Sequence, residues 1–161
     1  MTARTAVRSA LLALAAACAA LALGTPRFTW ENAGLTVQHP PHQGSCALLG
    51  AAALAAVALS GTRRPVGVLA FALALAAALA ALGAQRLAWK VEAVDAGLHE
   101  RTLTGWTRVA WRDVELVEPQ SGAIHLRARN GLSLAVPTRS FAPEDRTRLE
   151  RTIARRVKES Q

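Results

Sequence analysis

An α+β fold is predicted: three membrane-spanning helices in the N-terminal half, then a small antiparallel β-roll or barrel capped by a C-terminal α-helix. Three observations carry this reading. Charge is confined to one half, because among the 19 Lys/Arg and 11 Asp/Glu side chains only Arg4, Arg8, Arg27, Glu31, Arg63 and Arg64 precede residue 85. Three uncharged apolar runs occupy most of that half. The remainder alternates apolar and polar residues with a period of two. The division falls near residue 84 and gives a 1–84 membrane region and an 85–161 domain.

The apolar runs cover about 6–24, 45–61 and 66–84. Each sits near the lower length limit for crossing a hydrocarbon core of about 30 Å at about 1.5 Å per residue. Leucine rather than alanine must drive insertion. None has the polar face that a surface helix of a soluble protein would show. The first run, with its basic start and small residues near Gly24, is also compatible with a cleaved signal peptide, but its apolar character continues past Cys18 and favours a retained helix. Gly50 with Ala58, and Ala72 with Ala76 and Ala80, give small-residue faces suited to close helix packing. The runs contain no acid, Lys or His, which argues against an ion-coupled transporter.

Lys and Arg in short loops set orientation. Arg4 and Arg8 precede the first run and Arg63-Arg64 link the second to the third, whereas the first loop has only Arg27. The N-terminus is therefore expected in the cytoplasm, and three crossings of the cell membrane put the C-terminal domain on its outer face. Arg86, Lys90 and Arg101 weigh against that assignment. The first loop reads as extended, with Phe28 and Trp30 near the bilayer interface. His39, His42 and Cys46 could offer soft ligands, but the Pro-Pro pair holds the imidazoles apart, and no metal or cofactor is expected. Cys18 and Cys46 fall at different depths in their runs, which argues against a disulfide.

Strands are expected over about 89–94, 98–103, 107–111, 114–118, 123–128 and 132–137, and a helix over about 143–158. Asn130-Gly131 marks a hairpin. A two-residue loop would put Arg127 on the face of Leu134, whereas pairing Ala128 with Leu132 aligns Leu126 with Leu134 and Ile124 with Val136. That register requires a three-residue loop with Gly131 in the left-handed conformation. In the last helix Pro143 suits the first position, Glu144 and Asp145 the first turn, and Arg155, Arg156 and Lys158 the last. Leu149, Ile153 and Val157 form one apolar stripe.

Gly97-Leu98, then Val109-Ala110-Trp111-Arg112-Asp113-Val114, Asn130-Gly131, Phe141 and the C-terminal helix together resemble the bacterial pleckstrin-homology-like (PH-like) domain of small membrane proteins. The resemblance runs from about Val91 to Val157. It implies a binding scaffold rather than an enzyme. In bulk such proteins carry two helices before the domain, which would keep it cytoplasmic; three place it outside.

The residues themselves point the same way about chemistry. His99 and His125 lie at the polar phase of strands, away from any nucleophile or carboxylate pair, and no phosphate loop is present, so catalysis is not expected. The net charge of +8 is scattered along the chain rather than gathered in a nucleic-acid-binding block. Two functions stay open. One is a multi-pass membrane protein whose domain is an interaction and assembly module for another membrane or membrane-proximal protein, or for a second copy. The other is a sensor of anionic lipid in the bilayer. Trp106, Arg108, Arg112, Arg127 and Arg129 form the candidate interaction surface. Trp111 and Phe141 are expected as core anchors, Gly131 as the hairpin bulge, and Asp113 as a turn acid bonding nearby backbone N–H groups.

Overall fold

The computed structural model describes residues 3–31, 34–60 and 65–161. Arg63 and Arg64, on which the expected orientation partly rests, lie outside them. The chain divides into two compact units. One comprises Met1–Gly24 and His39–Ala88, the other Thr25–Gln38 and Trp89–Gln161.

The first unit holds helices α1 (Ala3–Ala22), α2 (Pro41–Leu59) and α3 (Val66–Ala88). α2 starts four residues before the apolar run and α3 extends four past it, because Pro41 is tolerated in a first turn and nothing after Ala84 breaks the helix. α2 packs against both neighbours. Half of its span is buried, against 17% for α1 and 11% for α3, on which Phe71, Leu73 and Leu75 are exposed. Small residues set these contacts. A Cβ on Gly44 would come 2.9 Å from the carbonyl oxygen of Gly83, and a Cβ on Gly83 equally close to that of Gly44, so α2 and α3 meet backbone to backbone. On the other side of α2, Gly50 lies against Ala15 and Cys18 of α1. Both cysteines are free thiols, Cys18 on α1 and Cys46 on α2, which pack side by side. Arg8 donates to the carbonyl of Ser60 at 2.7 Å, satisfying one of the orphan acceptors at the end of α2.

The second unit, the head domain, contains two strands that the sequence does not predict. The expected extended loop is a β-hairpin, β1 (Arg27–Glu31) and β2 (Gly34–Gln38). It adds to β3 (Lys90–Val94), β4 (Gly97–Thr102) and β5 (Gly105–Ala110) in a five-stranded antiparallel sheet of order β1-β2-β3-β4-β5. Val37 pairs with Val91 and Leu35 with Ala93, and both β2 side chains are buried in the head's core. Phe28 packs on Phe141 with ring centroids 4.0 Å apart, and Trp30 also packs against the core. These two aromatics belong to a protein interior because the alternation Phe28, Trp30, Leu35, Val37 supplies a half-buried hairpin's pattern.

A 3-10 turn, Trp111–Asp113, carries the chain into the second sheet of β6 (Val114–Gln120), β7 (Ala123–Ala128) and β8 (Ser133–Pro137). The β7–β8 register is the one the apolar faces require. Leu126 faces Leu134 and Ile124 faces Val136. Ala128 bonds Leu132 across a three-residue loop, and Gly131 has a φ of +83°. α4 (Pro143–Glu159) lays fully buried Leu149 and Ile153 onto the core beside Trp111, Val109 and Leu98. Trp111 is 3% exposed, and its Nε1–H donates to the carbonyl of Val94 at 2.8 Å. The role expected for Asp113 is corrected. Its carboxylate faces Arg112 at 3.9 Å with no backbone partner, and its main-chain carbonyl secures the turn by accepting from the Arg129 N–H at 2.9 Å.

Candidate functional site

The five nominated surface residues do not form one patch. Trp106 and Arg108 lie on β5 in the five-stranded sheet, Arg127 and Arg129 lie on β7 and its turn in the three-stranded one, and Arg112 sits in the turn between the sheets. All five are exposed. Trp106 is 46% exposed, and its ring is flanked by the guanidinium carbons of Arg108 at 5.8 Å and Arg101 at 5.9 Å. Arg101 joins it because the β4–β5 register sets the two residues opposite each other.

A concavity of the head domain lies elsewhere, between α4 and the far end of the β1–β2 hairpin. It is an open groove of about 770 Å³, bordered by Trp30 and Gly34 on one side and by α4 from Pro143 to Arg156 on the other. Arg148, Arg151 and Arg155 recur at helical spacing along it, so the face of α4 opposite the Leu149–Ile153 stripe is basic. Arg148 lies over the Trp30 ring at 4.4 Å. Arg156 is held by Asp95 at 2.5 Å, and Arg155 approaches Glu159 at 3.8 Å. Arg148 and Arg151 have no ion-pair partner among the described residues. Among the described residues Glu144 is the single acid on the lining. Trp30 Nε1 is buried without a hydrogen-bond partner.

A polar cluster closes one end of the helical unit. Arg86 of α3 donates to the Gly24 carbonyl at 2.6 Å and to Gln43 Oε1 at 3.1 Å, and lies 2.9 Å from His39 Nδ1. Burial pushes the His39 imidazole below its ordinary value; the bond to Gln43 opposes this and the charge of Arg86 adds to it. His39 is thus committed to this cluster. Among the described residues no group of three His, Cys, Asp or Glu side chains converges as metal ligands would.

From sequence, Arg155 is placed only in the last turn of the helix, and Arg148 and Arg151 receive no role. The spacing 148, 151, 155 was a visible signal, but Trp30, which turns a solvated helix face into a groove, lies more than a hundred residues earlier. In comparisons with family models, curated proteins and solved structures, the chain matches none.

Proposed function

We propose that this chain is a multi-pass membrane protein whose head domain is an interaction and assembly module, holding acidic polypeptide segments in the groove beside α4. The observation that carries the reading is the pair Arg148 and Arg151, lining an open groove with no acid bound to either among the described residues. Guanidinium forks bind carboxylates through paired hydrogen bonds, and a cation stacked on an aromatic ring is already partly ordered for that task. The groove follows α4 from Pro143 to Arg156, roughly 20 Å at 1.5 Å per residue, a length that suits about six residues of extended chain. Its other border includes β1, an edge strand that pairs only with β2. Unclaimed backbone groups of an edge strand favour a polypeptide over a small molecule.

The PH-like reading is supported by six strands in sequence, β3 to β8, in antiparallel sheets followed by the C-terminal helix, with β1–β2 as an addition from the N-terminal half. The membrane reading is supported by three apolar helices whose outer faces are largely unburied. In the proposed topology the N-terminus is cytoplasmic and the head is on the outer face. The shared sheet supports an even number of crossings between β2 and β3, which α2 and α3 supply as a pair. β1–β2 follows the first helix and β3 the third, so three spans bring both to one side.

A photo-crosslinking residue in place of exposed Thr147, introduced into the full chain in its native membrane, tests the module. A discrete adduct is expected, and it should vanish when Arg148→Glu and Arg151→Glu are combined. An adduct of twice the chain mass would identify a second copy as the partner. An adduct indifferent to the charge reversal, or none, would refute the reading. A reporter fused after Gln161 tests the side of the head.

A further inference from the structure

All three passages between the apolar helices and the five-stranded sheet occur at one end of that sheet. The chain enters β1 at Arg27, leaves β2 at Gln38 and enters β3 at Lys90, and these three residues are cross-strand neighbours. The same row continues through Arg101 of β4 to Trp106 of β5. Residues directly opposite in antiparallel strands share a face, so three cations, a glutamine and a tryptophan stand in line at the end where the chain arrives from its helices. Only the β4–β5 turn, Leu103-Thr104, projects beyond this row at that end. Lys90 is two residues past the end of α3, a reach of at most about 7 Å, and Trp106 is two strand spacings further, about 10 Å.

The turn is built for an interface. Leu103 is 58% exposed and Trp106 46%, above the other exposed large apolar residues of the head, Leu116 and Leu132. The Thr102 hydroxyl meets that of Thr104 at 3.0 Å and donates to the Gly105 carbonyl at 3.3 Å, which fixes the turn without using either apolar side chain. Arg101 and Arg108 flank the indole. A leucine and a tryptophan bracketed by arginines match the headgroup–acyl boundary, where indole rings settle and cations meet anionic phosphate.

We infer that the β4–β5 turn dips into the bilayer interface and binds anionic phospholipid headgroups, Leu103 and Trp106 entering the boundary and Arg101 and Arg108 contacting phosphate. This rests on the membrane-spanning reading of α1 to α3 and does not depend on the groove. Arg127 and Arg129, on the other sheet, take no part.

The test uses the full chain with Cys18→Ala and Cys46→Ala, in nanodiscs of phosphatidylcholine with or without phosphatidylglycerol. An environment-sensitive fluorophore is attached through Thr104→Cys, with Phe71→Cys on α3 and Asn130→Cys in the β7–β8 turn as references. Spin-labelled headgroups should quench the 104 probe in the phosphatidylglycerol discs and not the 130 probe. Salt should weaken that quenching, and Arg101→Gln and Arg108→Gln should each reduce the bound population about fivefold. Quenching at 104 that ignores phosphatidylglycerol and salt overturns the anionic-lipid assignment. An unquenched 104 probe, with the 71 probe quenched by acyl-chain labels, overturns the inference and leaves the membrane reading standing. An unquenched 71 probe removes both.

Discussion

Leu35→Ala separates a loop from a strand. As part of an exposed loop, Leu35 would tolerate truncation within about 0.5 kcal/mol. In the structure it is 2% exposed, pairs with Ala93 and belongs to the core with Trp111, Leu149 and Ile153. The substitution removes three buried carbons, about 2.4 kcal/mol at 0.8 kcal/mol each. It also enlarges an existing cavity of about 20 Å³ lined by Leu35, Trp111, Leu149 and Ile153. Three sheet strands and α4 frame that space, so collapse is limited and the total should reach about 3–4 kcal/mol. Against the 5–15 kcal/mol of a typical domain this is a large fraction. The assay is denaturant unfolding of the full chain in detergent, followed by near-ultraviolet circular dichroism of the tryptophans, with exposed Thr29→Ala as the reference. A loss below about 0.5 kcal/mol would refute the placement of the hairpin in the core.

Four further outcomes are expected. Trp111→Phe should cost about 1–2 kcal/mol by leaving the Val94 carbonyl without its 2.8 Å donor. Trp111→Ala should cost about 3–5 kcal/mol, and a loss under 1 kcal/mol would contradict its core role. Gly34→Ala should abolish protease resistance of the head, since the new Cβ would fall 1.7 Å from the Ala93 carbonyl oxygen; a resistant variant would contradict the β2–β3 pairing. His39 favours the neutral form when folded, so its contribution to stability is full above about pH 6.5 and is lost as pH falls through the lower folded value. Melting curves of the helical unit across that range should show this acid-side loss, and His39→Gln should flatten it.

The parts of the fold legible in the sequence were those set by local periodicity. The alternation from Val91 to Val136 and the stripe of Leu149, Ile153 and Val157 report which side of a strand or helix faces the core. The Ala128–Leu132 register could be derived because only one pairing puts Leu126 and Leu134 on a common face. The hairpin at 27–38 carried the same alternation. It was read as loop because it lies between two apolar runs, where the flanking residues suggest only a connection. Pairing of residues 35–38 with 90–93 spans two helices, and no local signal encodes it. The groove was hidden for the same reason, since Arg148 on a helix surface gains its meaning from Trp30. Arg86 likewise looked like a flanking charge until helix packing brought Gly24, His39 and Gln43 to it.

In the proposed membrane topology, the shared sheet makes insertion subject to proofreading. β1 and β2 are synthesised before α2 and α3, yet β2 finds its second neighbour only when β3 emerges after α3. In a bilayer, that meeting requires α2 and α3 to have crossed as a pair. A chain in which one of them failed to cross would leave Leu35 and Val37 on one side and their partners Ala93 and Val91 on the other. Such a molecule could not complete its head and would present a bare apolar hairpin to quality-control proteases. In that topology correct crossing becomes a precondition of folding, enforced by four backbone pairs between β2 and β3 rather than by loop charge alone.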